Sequence, residues 1–158
     1  MNNPEVSVIM LTYNREAFVA RAIESVLCQT LKDFEFIIVD NGSTDQSATI
    51  AQAYEARDPR VHSFSIPKSS IGTGRNYGAA RSTGGFITFL DDDDWMEPDM
   101  LEFLLKLAKK HQAEISLCGS YKVVDGTVLP NCVFEEELVM EPAEAVVTLL
   151  ERKKYNSG

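Results

Sequence analysis

Four adjacent carboxylates, Asp91 to Asp94, are the residues of this sequence that most clearly indicate chemistry. Two unit charges about 4 Å apart repel by roughly 4 kcal/mol at an effective dielectric constant of about 20, so such a cluster favours a bound cation or shared protons. Oxygen ligands with no Cys or His nearby suit Mg²⁺ or Mn²⁺ better than Zn²⁺. These ions are usually held by one or two carboxylates and the phosphates of a substrate, which predicts a nucleotide diphosphate site.

The apolar run before the carboxylates indicates where they lie. Phe86 to Leu90 is aromatic and β-branched, follows the breaker pair Gly84-Gly85, and is too short for a helix, so it predicts a buried strand. The acids then follow a strand end, where alternation would point Asp91 and Asp93 one way and Asp92 the other. The alternative is a solvated acidic turn that favours the start of the next helix through its dipole.

Length and composition exclude several classes of function. The 158 residues, 44% hydrophobic and 25% charged, fit one soluble domain, and a net charge of -9 argues against nucleic-acid binding. Three dispersed cysteines without a Cys-x-x-Cys pair indicate neither a disulfide framework nor a zinc site, so we expect reduced thiols and a cytoplasmic location. We expect neither a signal peptide nor a membrane span, and membrane association only through parts outside this chain. The oligomeric state is not predicted.

Strand and helix patterns alternate along the first two thirds of the chain. This predicts an α/β fold, with a mainly parallel, Rossmann-like sheet that has helices on both faces and binds ligands beyond the carboxyl ends of its strands. We predict strands at 6–11, 35–39, 61–66, 86–90, 115–121 and 135–140, and helices at 18–29, 46–56, 98–112 and 142–153.

Four local features complete this prediction. Asn14 is predicted to be the N-cap of the first helix. Residues 72–78 are predicted to form a flexible loop that enters a short helix ending near Ser82. Pro98 is placed at the first helical position. The Asp125-Gly126 pair is typical of a hairpin turn.

The polar residues after each strand then share one edge of the sheet. They are Thr12, Tyr13 and Asn14, Asp40, Asn41 and Gly42, Gly74, Arg75 and Asn76, and the four acids. Tyr13 can pack on a base or ribose, Asp40 can accept a hydrogen bond from either, and Arg75 can pair with a phosphate. The alternatives are turn and cap roles for Thr12 and Asn14, a simple turn at Asp40, and neutralisation of the acids by Arg75.

Four segments in order resemble a known family. They are Val6–Arg15, Ile37–Asp45, Gly74–Gly78, and Phe89–Trp95 followed by Glu97-Pro98-Asp99. Together they resemble the family-2 glycosyltransferases, inverting enzymes of the GT-A fold, over roughly residues 5–105. The resemblance implies a nucleotide-diphosphate-sugar donor, commonly a UDP-sugar, a glycan or other hydroxyl acceptor, and Mn²⁺ or Mg²⁺ at an Asp-x-Asp motif.

The resemblance also implies roles for the residues at the matching positions. Thr12, Tyr13 and Asp40 would hold the nucleoside, Asp91 or Asp92 the ribose or the metal shell, and Asp93 the metal itself. All four motif positions are Asp here, where the family often has a small residue at the second, so the metal ligands can include Asp91 and the register stays open by one position.

The catalytic base of the family lies in a later, acceptor-side segment. We therefore expect residues 1–158 to form a single GT-A domain that holds the donor-binding half of a longer enzyme, with the base beyond Gly158. Glu135-Glu136-Glu137 fits a solvated face better than a base. The alternative function is a catalytically inactive nucleotide-sugar-binding module or assembly fragment.

Two other nucleotide-binding classes lack their motifs. The first turn, Thr12 to Arg15, contains no glycine, whereas a dinucleotide fingerprint needs Gly-x-Gly-x-x-Gly there. The sequence also has no Gly-x-x-x-x-Gly-Lys phosphate-binding loop, which excludes a P-loop NTPase.

Overall fold

The structure, a computed structural model, describes residues 3–151, with the side chains of residues 3–148. Its strands are β1 (Val6–Thr12), β2 (Phe34–Asp40), β3 (Val61–Ser65), β4 (Phe86–Asp91), β5 (Ser120–Val124) and β6 (Thr127–Cys132). Its helices are α1 (Val19–Leu27), α2 (Ser47–Glu55), α3 (Ile71–Ala79), α4 (Met100–His111) and α5 (Pro142–Glu151). No helix in this range is long and apolar enough to cross a membrane.

The chain up to Leu105 forms one compact unit built on a parallel four-stranded sheet. The strand order is β3-β2-β1-β4, so β1 lies between two partners and reads as an almost uninterrupted apolar run. In the register of the sheet Thr12 pairs with Asp40, and Leu11 pairs with Asp91. The predicted parallel sheet is therefore confirmed, and its carboxyl edge brings together residues that are far apart in sequence.

Helices cover both faces of this sheet, as predicted. On one face Val8 and Met10 of β1 pack with Ala22, Ile23 and Val26 of α1, whose spacing follows the helical period. On the other face Ile9, Ile37 and Val39 pack against Tyr77 and Ala79 of α3. Burying apolar side chains on both faces fixes the strand positions, and with them the loops at the carboxyl edge.

The predicted flexible loop at 72–78 is wrong, because these residues form α3. Ser70 caps the helix, since its hydroxyl accepts a hydrogen bond from the Thr73 amide at 3.1 Å. Gly74 and Gly78 face the sheet: a Cβ on Gly74 would lie 2.3 Å from Leu11 Cδ1, and one on Gly78 would lie 2.6 Å from Ile9 Cγ2. They serve close helix-sheet packing rather than flexibility.

Strand β4 differs from the buried strand that the sequence predicts. Leu90 is buried, but Ile87 and Phe89 are each 46% exposed. Among the described strands β4 pairs only with β1, so it is an edge strand with one face partly open. Apolar composition predicted the strand correctly, but it cannot distinguish an edge strand from a central one.

Two predicted helix starts are also wrong. Asn14 is not an N-cap, since α1 begins at Val19 with Phe18 at the cap position. Asn14 instead adopts a left-handed conformation with φ of 51°. Pro98 lies in the turn before α4, which begins at Met100, and the Pro98 carbonyl accepts a hydrogen bond from the Thr30 amide at 2.8 Å.

Residues from Lys106 onward form a second compact unit, described here by itself. Strands β5 and β6 form an antiparallel hairpin, and its turn has φ of 49° at Asp125 and 76° at Gly126, which confirms the predicted turn. The strand predicted at 115–121 begins only at Ser120 and pairs within the hairpin, because the Asp-Gly turn sets that register. Residues 135–140 are not a strand. The predicted end of α5 near Lys153 lies outside the described residues.

The acidic cluster at 135–137 is tied to the end of α4 within this second unit. Glu137 accepts hydrogen bonds from Lys110 Nζ at 2.8 and 3.0 Å, and it also pairs with His111. The bonds from Lys110 and then from His111 lower the pKa of the Glu137 carboxyl. Glu137 is thus paired with two basic side chains, and its lowered pKa makes it a weaker proton acceptor than a free glutamate.

Candidate functional site

The ends of three neighbouring strands build the candidate site. Thr12 ends β1, Asp40 ends β2 and Asp91 ends β4, and the parallel pairing places all three at one edge. The sheet thus brings together the polar residues that follow β1, β2 and β4, which are three of the four groups predicted from the sequence.

The four carboxylates after β4 have different surroundings. Side-chain exposure is 59% for Asp91, 13% for Asp92 and 49% for Asp93. Strand β4 ends at Asp91, and Asp92 and Asp93 lie in a turn where Arg15 is near both, so the strand alternation predicted from the sequence does not continue through the cluster. Asp92 accepts a hydrogen bond from the Tyr13 amide at 3.2 Å and so faces the end of β1. Asp91 and Asp93 are therefore the more accessible of these three carboxylates.

Burial dominates the titration of Asp92 and Asp94. Burial raises the pKa of Asp92, with the Asp93 charge adding to it, while the Thr12 hydroxyl, the Tyr13 amide and Arg15 lower it. Burial also raises the pKa of Asp94, followed by repulsion from Asp93 and Asp91. In both residues burial is the main cause, and the neighbouring carboxylates add to it.

Thr12 is fully buried beside this cluster. Its Oγ1 lies near enough to the Asp92 carboxyl to lower the pKa of that group, but among the described residues it makes no hydrogen bond of good geometry. Buried hydroxyls are nearly always hydrogen-bonded, so an unsatisfied one at a sheet edge is a place where a ligand atom would be favoured.

Asp40 and Asn14 join the first two strand-end loops. Asp40 is 2% exposed, and both of its carboxyl oxygens accept from the Ser43 amide, at 3.3 and 3.2 Å. The Asn14 amide donates to Ser43 Oγ at 2.9 Å, and Asn14 Oδ1 accepts from the Thr44 amide at 2.8 Å. Gly42 has φ of 78°, and a Cβ there would lie 2.8 Å from the backbone nitrogen of Lys68, so the turn requires glycine. Asp40 therefore lies in the predicted turn, and that turn is part of the candidate site.

Arginines occupy the acidic edge. Arg75 of α3 pairs with Asp91, and Arg15 lies 3.6 Å from Asp92 and 3.7 Å from Asp93. The prediction that Arg75 reaches this edge is confirmed in position, and here it neutralises an acid. A guanidinium near two carboxylates is also a group that can bind a diphosphate.

The family of the chain follows from its similarity to known sequences. The family model described as Glycosyl transferase family 2 matches residues 7–132, well over half of the chain. The chain belongs to glycosyltransferase family 2.

Relatives of this glycosyltransferase chain include proteins of known and unknown role. It is 38% identical over 119 residues to the uncharacterized glycosyltransferase EpsJ of Bacillus subtilis, covering 75% of this chain and 35% of EpsJ. It is 38% identical over 118 residues to the chondroitin synthase of Escherichia coli, covering 75% of this chain and 17% of that protein. The chain thus spans about a third or less of the length of these relatives.

Solved structures support the same fold. Residues 1–349 of TarS from S. aureus, crystallised in complex with UDP, superpose with a TM-score of 0.69 at 26% identity, covering 84% of this chain and 40% of that one. The parallel sheet with helices on both faces is therefore the Rossmann-like GT-A fold of glycosyltransferases, as the sequence predicts.

Sequence reasoning missed three basic residues of this candidate site. Arg15 directly follows the polar turn, and its charge beside an acidic edge was a usable signal. Lys68 places its ammonium 2.7 Å from the centroid of the Tyr13 ring, and Arg21 donates from Nη2 to the Asp93 carbonyl at 2.7 Å. No pattern in the sequence predicts these last two contacts, because both depend on how separate loops meet.

The residues at this edge fit a hard divalent cation. Asp91 and Asp93 offer exposed carboxylate oxygens, and they lie close enough to Asp94 for their charges to add to the effect of burial in raising its pKa. Within the described part of the chain, no group of three or more His, Cys, Asp or Glu residues is arranged to hold a metal by itself. Mg²⁺ and Mn²⁺ commonly take their remaining ligands from phosphate and water, so two carboxylates suffice.

Proposed function

We propose that this chain binds the donor of a glycosyltransferase, and that the donor is a UDP-sugar. The observation that carries the proposal is the convergence of Thr12, Asp40 and the acidic turn, Asp91 to Asp94, at one sheet edge, where the buried Thr12 Oγ1 lacks a hydrogen bond of good geometry. Ligands of open α/β sheets bind beyond the carboxyl ends of the strands. The similarity to TarS, whose structure contains UDP, supports the choice of nucleotide.

The loops after β1 and β2 are proposed to bind the nucleoside. Lys68 covers one face of the Tyr13 ring, which is 40% exposed and leaves aromatic surface for the base or ribose. Asp40 is held by the Ser43 amide and retains lone pairs that can accept from a base N–H. Asn14 keeps the two loops together, and Asp92 is placed to accept from a ribose hydroxyl.

The acidic turn and its arginines are proposed to bind the diphosphate. Asp93, with Asp91, would hold Mn²⁺ or Mg²⁺, which when bound neutralises charge on the departing diphosphate. Arg15 and Arg75 now pair with carboxylates of this turn, and both are long enough to pair with phosphate oxygens instead. Exchanging a carboxylate for a phosphate leaves each guanidinium paired and frees the acids for the cation.

The transfer itself is proposed to invert the sugar carbon, with a glycan or another hydroxyl compound as acceptor. The relationship to chondroitin synthase supports a role in polysaccharide or cell-envelope glycan synthesis. A base must take the acceptor proton, and Glu137 is committed to Lys110 and His111. We therefore propose that the base comes from a segment outside residues 1–158, that this chain is the donor-binding half of a single GT-A domain, and that it acts in the cytoplasm.

Titration calorimetry of the 158-residue chain with UDP, with and without Mn²⁺, tests this function. We expect Mn²⁺ to tighten UDP binding and Asp93→Asn to remove that gain, a loss of about tenfold or more, which corresponds to about 1.4 kcal/mol. The matched control is Asp33→Asn, which makes the same charge change at an exposed position before β2, at the other end of the sheet.

The result separates binding from chemistry. UDP binding that does not respond to Mn²⁺, or that Asp33→Asn weakens as much as Asp93→Asn, would contradict the proposed metal site. Because the base is proposed to lie outside residues 1–158, sugar transfer has to be measured with a longer enzyme that contains the acceptor-side segment. Tight UDP binding without sugar transfer by that longer enzyme would favour the alternative of an inactive nucleotide-sugar-binding module.

A further inference from the structure

A polar stripe on α1 contacts the segment that follows the acids. Arg21, Ser25 and Gln29 are spaced four residues apart and therefore share one side of the helix and its C-terminal extension. The neighbouring positions Ala22 and Val26 are apolar and buried in the core. The stripe is thus a separate surface of α1, with its own partner.

That partner is the backbone of residues 93–97, which contains no helix or strand. Arg21 Nη2 donates to the Asp93 carbonyl at 2.7 Å, and the Met96 amide donates to Ser25 Oγ at 3.1 Å. Gln29 Nε2 donates to the Glu97 carbonyl at 2.7 Å. Because the segment has no regular hydrogen-bond pattern of its own, these three bonds determine its path.

Arg21 makes a second contact with the same segment. Its guanidinium lies over the Trp95 ring, 5.0 Å from the centroid, while Trp95 Nε1 donates to Glu97 Oε1 at 3.4 Å. A flat guanidinium can stack on an indole and donate in its own plane at the same time. Arg21 and Trp95 also line a cleft of about 360 Å³ beside α1. Two contacts two residues apart orient the peptide at Asp93 more firmly than one would.

Arg21 differs from the other arginines of the site in the atom that it binds. Arg15 and Arg75 pair with carboxylate oxygens, which a cation would also need. Arg21 binds the main-chain carbonyl of Asp93 and leaves both carboxyl oxygens of that residue available. It can therefore stay in place whether or not a cation is bound.

We infer that Arg21 is a positioning residue, which fixes the main chain at Asp93 so that the Asp93 carboxylate faces the diphosphate and its cation. The inference rests on the proposed function for its ligand, but its structural part can be measured without a ligand. It predicts that Arg21 acts on the metal-dependent part of UDP affinity and has little effect on the nucleoside part.

Hydrogen exchange followed by mass spectrometry tests the structural part. In Arg21→Met, we expect amides in the peptide covering residues 91–97 to exchange about tenfold faster, a change that corresponds to one lost charge-assisted hydrogen bond. The matched control is Arg81→Met. Arg81 also donates to a backbone carbonyl, that of Tyr77 at 3.1 Å, and lies over the Tyr77 and Phe64 rings, and among the described residues it has no contact with the acids. Unchanged exchange at 91–97 in Arg21→Met would overturn the inference.

UDP titration of the same variants tests the consequence for the site. We expect Arg21→Met to weaken UDP binding about tenfold in Mn²⁺ and less than about twofold without it, with Arg81→Met like the wild type in both conditions. Equal weakening with and without Mn²⁺ would show a merely structural role. UDP affinity equal to that of the wild type in Arg21→Lys would show that Arg21 acts through its charge alone, and this result would also overturn the inference.

The two proposals fail in different ways. A wild-type chain that does not bind UDP in any condition contradicts the proposed function, and with it the ligand that we assign to Arg21. A wild-type chain that binds UDP with Mn²⁺, together with an unaffected Arg21→Met variant, refutes the positioning role alone.

Discussion

Replacing Gln29 by methionine should cost this protein a large share of its stability. Gln29 is fully buried just beyond α1, and its side-chain amide is completely used. Nε2 donates to the Ser25 carbonyl at 3.1 Å and to the Glu97 carbonyl at 2.7 Å, and Oε1 accepts from the Leu101 amide at 2.9 Å. The last bond satisfies one of the free N–H groups in the first turn of α4.

The cost follows from what methionine leaves unpaired. Methionine matches glutamine in length, so the loss of packing is small, but it cannot replace the three hydrogen bonds. The Leu101 amide is buried and would be orphaned at about 1–3 kcal/mol, and each of the two carbonyls adds about 0.5–1 kcal/mol where water can partly reach it. The sum is about 3 kcal/mol, which lowers the melting temperature of a chain of this size by about 6–12 °C.

Urea unfolding followed by circular dichroism, together with a thermal melt, measures this cost. The control is Gln52→Met, the same substitution at an exposed position of α2, which we expect to change stability by less than about 0.5 kcal/mol. A loss below about 1 kcal/mol for Gln29→Met would refute the reasoning, because it would mean that the three bonds do not hold α1 and the segment before α4 together.

Two further predictions concern the opposite end of the sheet. Gly84→Ala should destabilise the fold by about 1–3 kcal/mol in urea unfolding, because its Cβ would lie 2.6 Å from the Ser7 backbone nitrogen, whereas Gly85→Ala, at 3.5 Å from a carbonyl, serves as the mild control. Burial raises the pKa of Glu35, but bonds from Ser7, Thr83 and Gly84 outweigh this and hold it below 4.5. That stabilisation is present above about pH 4.5 and is lost as the pH falls through the lowered pKa. The loss of unfolding free energy in Glu35→Gln should therefore be largest at neutral pH and smaller in acid. A loss that stays constant with pH in urea titrations would contradict this prediction.

The architecture of the first unit was predictable because its signals are local and repeated. Apolar strands followed by amphipathic helices require a parallel sheet, and parallel strands place Thr12, Asp40 and Asp91 at one edge whatever the details of the loops. The Asp125-Gly126 turn was equally predictable, because two consecutive residues with positive φ are favourable for few dipeptides.

The features that sequence reasoning missed depend on distance in space. Gly74 and Gly78 looked like loop residues, and only the side chains of Leu11 and Ile9 show that they are packing positions in a helix. Arg21 lies 72 residues before Asp93 in sequence, and its bond to the Asp93 carbonyl depends on how α1 lies against that segment. Strand β4 reads as buried because nothing in its composition reports how many neighbours it has.

The positions of the site residues are known from the fold, but their roles remain predictions. Thr12, Tyr13, Asn14, Asp40, Arg75, Asp91, Asp92 and Asp93 all lie at the carboxyl edge, as expected, or on the helix beside it. Their positions follow from the fold, whereas their ligands follow from chemistry that UDP and Mn²⁺ titrations must measure.

Two of the three glycines of α3, Gly74 and Gly78, set the distance between the helix and the sheet. Arg75 lies directly after Gly74 and three residues before Gly78, so the residues that let the helix approach the sheet also set the height of the Arg75 charge above it. One methyl group at position 74, pressed against Leu11, would lift that charge away from Asp91 without altering any polar atom. The charge distribution at the acidic edge therefore depends on the absence of side chains at positions 74 and 78. A substitution there that adds only a methyl group would be detected as a change in the affinity of the edge for a divalent cation.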